Sequence, residues 1–229
     1  MFFPGLHGDA RTWAPVMAAL PDVASTALDL PAVADLDALV DEVAGHVEPG
    51  SVVVGHSLGG VVVMHLAERH SSVLAGLVLV TAPVGAEDPE SARARGPGRR
   101  PERGGVRGDR LRGHGGHLLR RSRPRPAGPR GATARRAGVR AGAVAAHSVA
   151  IGAWRDRWEL PAQAPCPVPI VGASDDQVVP TEEQRRWAEK NSAPHVAFVE
   201  IPETGHMLPV EDTEQLSNAL SDWLSSLEG

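Results

Sequence analysis

The chain has 229 residues, 42% of them hydrophobic, and a formal net charge of −5. That length accommodates one α/β domain with a substantial core, and the acidic balance argues against general nucleic-acid affinity. No run approaches the roughly 20 apolar residues of a membrane helix, and Met1 to Gly8 lacks the basic and apolar regions of a signal peptide. The lone Cys166, between Pro165 and Pro167, has no partner for an internal disulfide and reads as a small buried hydrophobe. These features set the expectation of a cytoplasmic protein without nucleic acid or membrane as partner.

In chain order, Met1 to Phe3 reads as the stub of a strand leading into Pro4-Gly5-Leu6. Arg11 to Leu20 places Trp13, Val16, Met17 and Leu20 at helical spacing. Val23 to Leu30 has the composition of a strand, and Asp35 to Val47 puts Leu36, Leu39, Val40, Val43 and Val47 on one helical face. Ser51 to Val54 is a short β-branched run of the kind buried on both faces of a sheet. Leu58 to His70 has the length of a helix, and Leu77 to Val80 is the next buried strand. Later, Val168 to Val171 and Val196 to Ile201 read as strands. Thr181-Glu182-Glu183-Gln184 reads as a capping box opening a helix to about Asn191, and Thr213 to Leu227 as a closing amphipathic helix. Alternation of this kind predicts a mostly parallel central sheet flanked by helices.

The middle departs from this pattern. Between Arg93 and Arg140 lie sixteen arginines, no lysine, and only Glu102 and Asp109 as acids. Ser91 to Arg140 has no steady period, and Leu118 and Leu119 are nearly its only large apolar residues, too few to offset the entropy of ordering it. Three readings stay open: a disordered basic insertion, a tract for nucleic acid or a membrane surface, or a stretch read out of frame, since the wrong frame of a GC-rich gene yields mostly Arg, Gly, Pro and Ala.

Gly55-His56-Ser57-Leu58-Gly59, followed by Gly60, satisfies G-x-S-x-G between a predicted strand and a predicted helix. A sharp turn there would lift the Ser57 hydroxyl clear of the sheet, with the N-terminus of the helix aimed at a developing oxyanion. His56 points away from the serine side chain in such a turn and reads as its support rather than as a base. Here the chain resembles the α/β-hydrolase superfamily, most closely over Ser51 to Gly60 with the helix after it and over Leu77 to Val80. The resemblance covers residue 1 to about 85 and about 151 to 229, the two parts of one core, with residues 86–150 in the position of the family's cap. An abrupt, arginine-only run in that position favours the out-of-frame reading.

The resemblance implies the chain order serine, acid, histidine. Gly205-His206 matches the family's loop for the base, and Val171 to Pro180 matches the strand-end loop for the acid. Asp176, four residues before Pro180, is the expected acid, with Asp175 as the alternate. His7, His46, His65, His70, His147 and His195 carry no comparable motif, and His114 with His117 is a weak metal signal. Gly5 to Trp13 resembles the family's oxyanion loop, with Pro4 in place of the usual histidine. The backbone N–H of Leu58 and that of Leu6 are then the expected donors, a second register making Asp9 the donor instead. Trp13 reads as packing beneath the loop. Relative to the family, one or two leading strands are missing, the Gly-rich stretch after Asp29-Leu30-Pro31 is absent, and the cap is aberrant. The implied activity is serine hydrolysis of a carboxylic ester or related acyl bond, with a small-molecule acyl substrate as partner. C–C hydrolase, cofactor-free lyase and non-catalytic binding protein stand as alternatives. No cofactor is implied: there is no dinucleotide fingerprint, P-loop or zinc cluster.

Overall fold

Uninterrupted runs of Val and Leu are stable as strands only when covered on both faces, and Ser51–His56 (β2) and Leu74–Val80 (β3) are placed accordingly, side by side at the middle of a sheet. The computed structural model describes residues 1–83, 85, 130–152, 154, 155, 159–191 and 193–227. Residues 86–129, with His114 and His117, lie outside the described residues. Phe2–Phe3 (β1), Val168–Ala173 (β4) and Val196–Ile201 (β5) complete a five-stranded sheet in the order β1-β2-β3-β4-β5, every pair parallel.

Strand alternation sorts the side chains into two cores. Phe3, Val53, Leu77, Leu79, Val168 and Ile170 face one, and Phe2, Val54, Val78, Val80, Val171 and Ile201 face the other. Leu36–Ala44 (α2) and Leu58–His70 (α3) cover the first face. Ala14–Ala18 (α1) covers the second through Val16. Arg130–Gly152 (α4) packs its last turn, Ala150 and Ile151, on the first core. Leu160–Gln163 (α5) and Thr181–Lys190 (α6, through Trp187) follow on the same face. Leu208–Glu211 (α7) and Thr213–Ser226 (α8) close the second face with Leu208, Leu216 and Leu220. Asp41 on α2 also meets Arg69 and His70 on α3, but at an exposed edge such pairs add little beside the buried Leu39, Val40 and Val43.

Three expectations are revised. The segment Val23–Leu30 forms no strand: one parallel bridge joins Ala27 to Phe2, because β1 offers only two residues and Asp29 turns away to accept from the Ala10 N–H at 2.6 Å. Thr181 is no helix cap: Pro180 holds the cap position, and the Thr181 hydroxyl instead donates to the Ala173 carbonyl, tying α6 to the end of β4. The tract read as aperiodic to Arg140 is helical from Arg130, in keeping with the strong helix propensity of Ala and Arg.

Candidate active site

β2 ends at His56, and Ser57 reverses the chain with φ 52° and ψ −117°, a conformation that residues with side chains rarely adopt. The Ser57 N–H donates to the Val80 carbonyl at 3.0 Å, and the Ser57 carbonyl accepts from Gly60 N–H at 2.8 Å, which opens α3. The turn closes only because its neighbours lack side chains: a Cβ on Gly59 would collide with the Phe3 carbonyl, and one on Gly55 with the Gly59 carbonyl. Strain of about 1–3 kcal/mol at such a residue is offset by α3, whose residues Leu58 to Ala67 are all buried, each large apolar side chain being worth about 1.5–3 kcal/mol.

The strand-end loops bring two further side chains to this turn. His206 Nε2 lies 3.0 Å from Ser57 Oγ, and His206 Nδ1 lies 2.9 Å from Asp176 Oδ2. An ionised carboxylate only accepts, so Nδ1 carries the ring proton and the Nε2 lone pair faces the serine hydroxyl. The Asp176 side chain is fully buried. Its second oxygen accepts from the N–H groups of Val178 at 2.8 Å and Val179 at 2.9 Å, so burial leaves neither oxygen without a donor. Asp175 is not brought to the imidazole; it is exposed, with its side chain toward Ser174.

The loop after β1 passes beside the serine. A Cβ on Gly5 would lie 3.0 Å from Ser57 Cβ and 2.7 Å from His56 Nδ1. Leu6 follows, in a turn closed by Gly8 N–H donating to the Gly5 carbonyl. Among the described residues, no protein acceptor takes the N–H of Leu6 or of Leu58. Asp9 caps the next turn, Ala10–Trp13, accepting from Arg11 N–H at 3.1 Å. Trp13 is buried beneath the loop against Phe2 and the edge of His56.

His56 does more than the sequence suggested. Its Nε2–H donates to the His206 carbonyl at 2.8 Å, and Thr81 Oγ1 donates to the same oxygen at 3.1 Å. Burial pushes the His56 pKa down to about 4, leaving the ring neutral, with Nδ1 unpartnered among the described residues. Thr81 and Glu211, whose carboxylate accepts from Gly205 and Met207 N–H, escaped the sequence reading. Four of the six motif-less histidines are engaged elsewhere: His65 with Asp37, His70 with Asp41, and His147 and His195 with the carbonyls of Pro31 and Pro161. Among the described residues no His, Cys, Asp or Glu group could hold a metal ion. A cavity of about 330 Å³ lined by Phe2, Val23, Ser51, Val52 and Trp223 opens where the strands begin, the opposite end from Ser57.

A profile described as "Alpha/beta hydrolase family" matches residues 2–219. The chain belongs to the alpha/beta hydrolase family. Among solved structures, this hydrolase resembles a thermophilic esterase from Thermogutta terrifontis, with 21% identity and TM-score 0.73 over 100% of this chain and 89% of that one. It also resembles the enol-lactonase from Burkholderia xenovorans LB400, with 16% identity and TM-score 0.66 over 98% and 90%. At those identities the likeness is one of fold. A curated relative, the 2-succinyl-6-hydroxy-2,4-cyclohexadiene-1-carboxylate synthase of Enterobacter sp. (strain 638), is 34% identical over 107 residues, which is 42% of this chain and 42% of the relative's length.

Proposed function

We propose that this hydrolase cleaves a carboxylic ester or related acyl bond through an acyl-enzyme, with Ser57 as nucleophile, His206 as base and Asp176 as the acid that orients it. The observation carrying this reading is the continuous relay from Asp176 Oδ2 to His206 Nδ1 at 2.9 Å and from His206 Nε2 to Ser57 Oγ at 3.0 Å. As Oγ attacks the acyl carbon, Nε2 takes its proton. The carbonyl oxygen, now an oxyanion, accepts from the N–H groups of Leu58 and Leu6. Asp176 stabilises the imidazolium, and His206 returns the proton to the departing alkoxide. Water then repeats the sequence on the acyl-enzyme and frees Ser57. The absence of a second cysteine suits a reducing, cytoplasmic setting.

A panel of p-nitrophenyl esters, with Ser57→Ala alongside, tests the proposal. Turnover confined to the unmutated protein, with a fluorophosphonate probe attached to Ser57, is the expected result; ester turnover equal in Ser57→Ala refutes it. One observation favours a second reading, a cofactor-free lyase on the same three residues: the 34% identity to the synthase. Probe labelling at Ser57 without turnover of any ester would favour that reading, and absence of labelling would favour a binding protein.

A further inference from the structure

We propose that Glu211 is a positioning residue for His206, gripping the main chain on both sides of the base. The inference rests on the reading of His206 as base. Glu211 Oε2 accepts from Gly205 N–H at 2.7 Å, and Oε1 accepts from Met207 N–H at 2.9 Å. One carboxylate therefore satisfies the amide before His206 and the amide after it. The His206 carbonyl between them is held from the other side by His56 and Thr81.

The need for such a grip follows from where His206 sits. Between the end of β5 at Ile201 and the start of α7 at Leu208 the chain is irregular, so no ladder fixes its backbone. The ring bonds to Asp176 and Ser57 orient the imidazole only if the Cα carrying it is held. Charge-assisted bonds are the stronger kind, and two from one rigid carboxylate fix direction as well as distance. Glu211 is itself anchored, since its N–H donates to the Met207 carbonyl at 3.0 Å while Met207 N–H donates back to its side chain. This reciprocal pair resembles a capping box. Gly205 completes the device: a Cβ there would lie 2.8 Å from Oε2 and push the carboxylate aside. Glu211 is exposed and forms no ion pair with Arg or Lys among the described residues. Its two oxygens are thus committed to the base loop, not to the core or to a cation.

The test compares wild type, Glu211→Ala and Glu211→Gln by fluorophosphonate labelling rate, ester kinetics, thermal melting, and the ¹⁵N-imidazole NMR spectrum of His206. An ångström of misplacement is worth about a hundredfold. Labelling and kcat of Glu211→Ala are therefore expected to fall about 10- to 100-fold with KM unchanged. Glu211→Gln, which keeps one acceptor oxygen, should fall less. The His206 Nδ1–H signal should broaden by exchange in Glu211→Ala while melting barely moves. Gly205→Ala, which displaces the carboxylate but keeps its charge, should reproduce the loss and serves if the Glu211 variants fold poorly. A His206 spectrum and labelling rate in Glu211→Ala equal to wild type would overturn the inference. If wild type is not labelled at Ser57 but the spectrum still depends on Glu211, the hydrolase reading fails and the positioning role stands.

Discussion

Replacing Asp176 by Asn is the sharpest probe of the relay because it exchanges one carboxylate oxygen for an NH₂ group and changes almost no volume. The carboxylate has three donors around it: His206 on Oδ2, and the N–H groups of Val178 and Val179 on Oδ1. Those two backbone donors will hold the amide oxygen of Asn on their side, so the NH₂ group must face His206 Nδ1. Nδ1 then becomes an acceptor, and the ring proton moves to Nε2, where it points at Ser57. A base with its proton already on the reacting nitrogen cannot take another, and the imidazolium also loses its counter-charge. The expected fall in kcat is about 10,000-fold, or roughly 5 kcal/mol of barrier. Stability should change far less, because the two backbone hydrogen bonds survive and the third is replaced by one from the Asn NH₂ to Nδ1, each being worth about 1 kcal/mol. Steady-state kinetics on a p-nitrophenyl ester beside a thermal melt measures both quantities. A kcat within tenfold of wild type, with folding intact, would mean that Asp176 does not set the tautomer of His206.

Three further outcomes follow from packing and burial. Burial holds His56 at a pKa of about 4 against an ordinary 6.5. The unfolded chain therefore takes up a proton between pH 6.5 and 4 that the folded one refuses. This contribution is fully present above pH 6.5 and is lost as the pH falls through that window, at a cost of about 3 kcal/mol. Urea denaturation at pH 7.5 and 4.5 should show a smaller acid loss in His56→Gln than in wild type; equal losses would place the effect on other groups. Gly59→Ala drives a Cβ into the Phe3 carbonyl, a backbone atom that cannot step aside, and should destabilise by about 1–3 kcal/mol and abolish probe labelling. Gly142→Ala on α4 meets open space and should stabilise by about 0.5–1 kcal/mol, an opposite sign that a melt distinguishes.

Much of the site was legible where the signal was local. The run Val52-Val53-Val54 followed by Gly-His-Ser-Leu-Gly states strand, turn and helix within a dozen residues, and each glycine has a steric duty there. Asp176 could be preferred to Asp175 only through its offset from Pro180, yet the two differ completely in the fold, one buried among three donors and the other exposed. Thr81 looked like any residue closing a strand. It matters because β3 and β4 lie side by side, so that its N–H reaches the Val171 carbonyl while its hydroxyl reaches His206. Val23 to Leu30 had a strand's composition but met too short a partner, and Thr181 had a capping residue's chemistry but a nearer acceptor in Ala173.

What the sequence determined by itself was therefore periodicity and local chain reversal: which segments bury one face, which bury two, and where a serine is raised on a glycine-flanked turn. These depend on interactions among residues a few positions apart. Only the tertiary structure decided which side chains meet, because Ser57, Asp176 and His206 come from the ends of different strands and are joined across a parallel sheet. Strand order and the grip of His56, Thr81 and Glu211 on a single loop set distances that no spacing along the chain encodes.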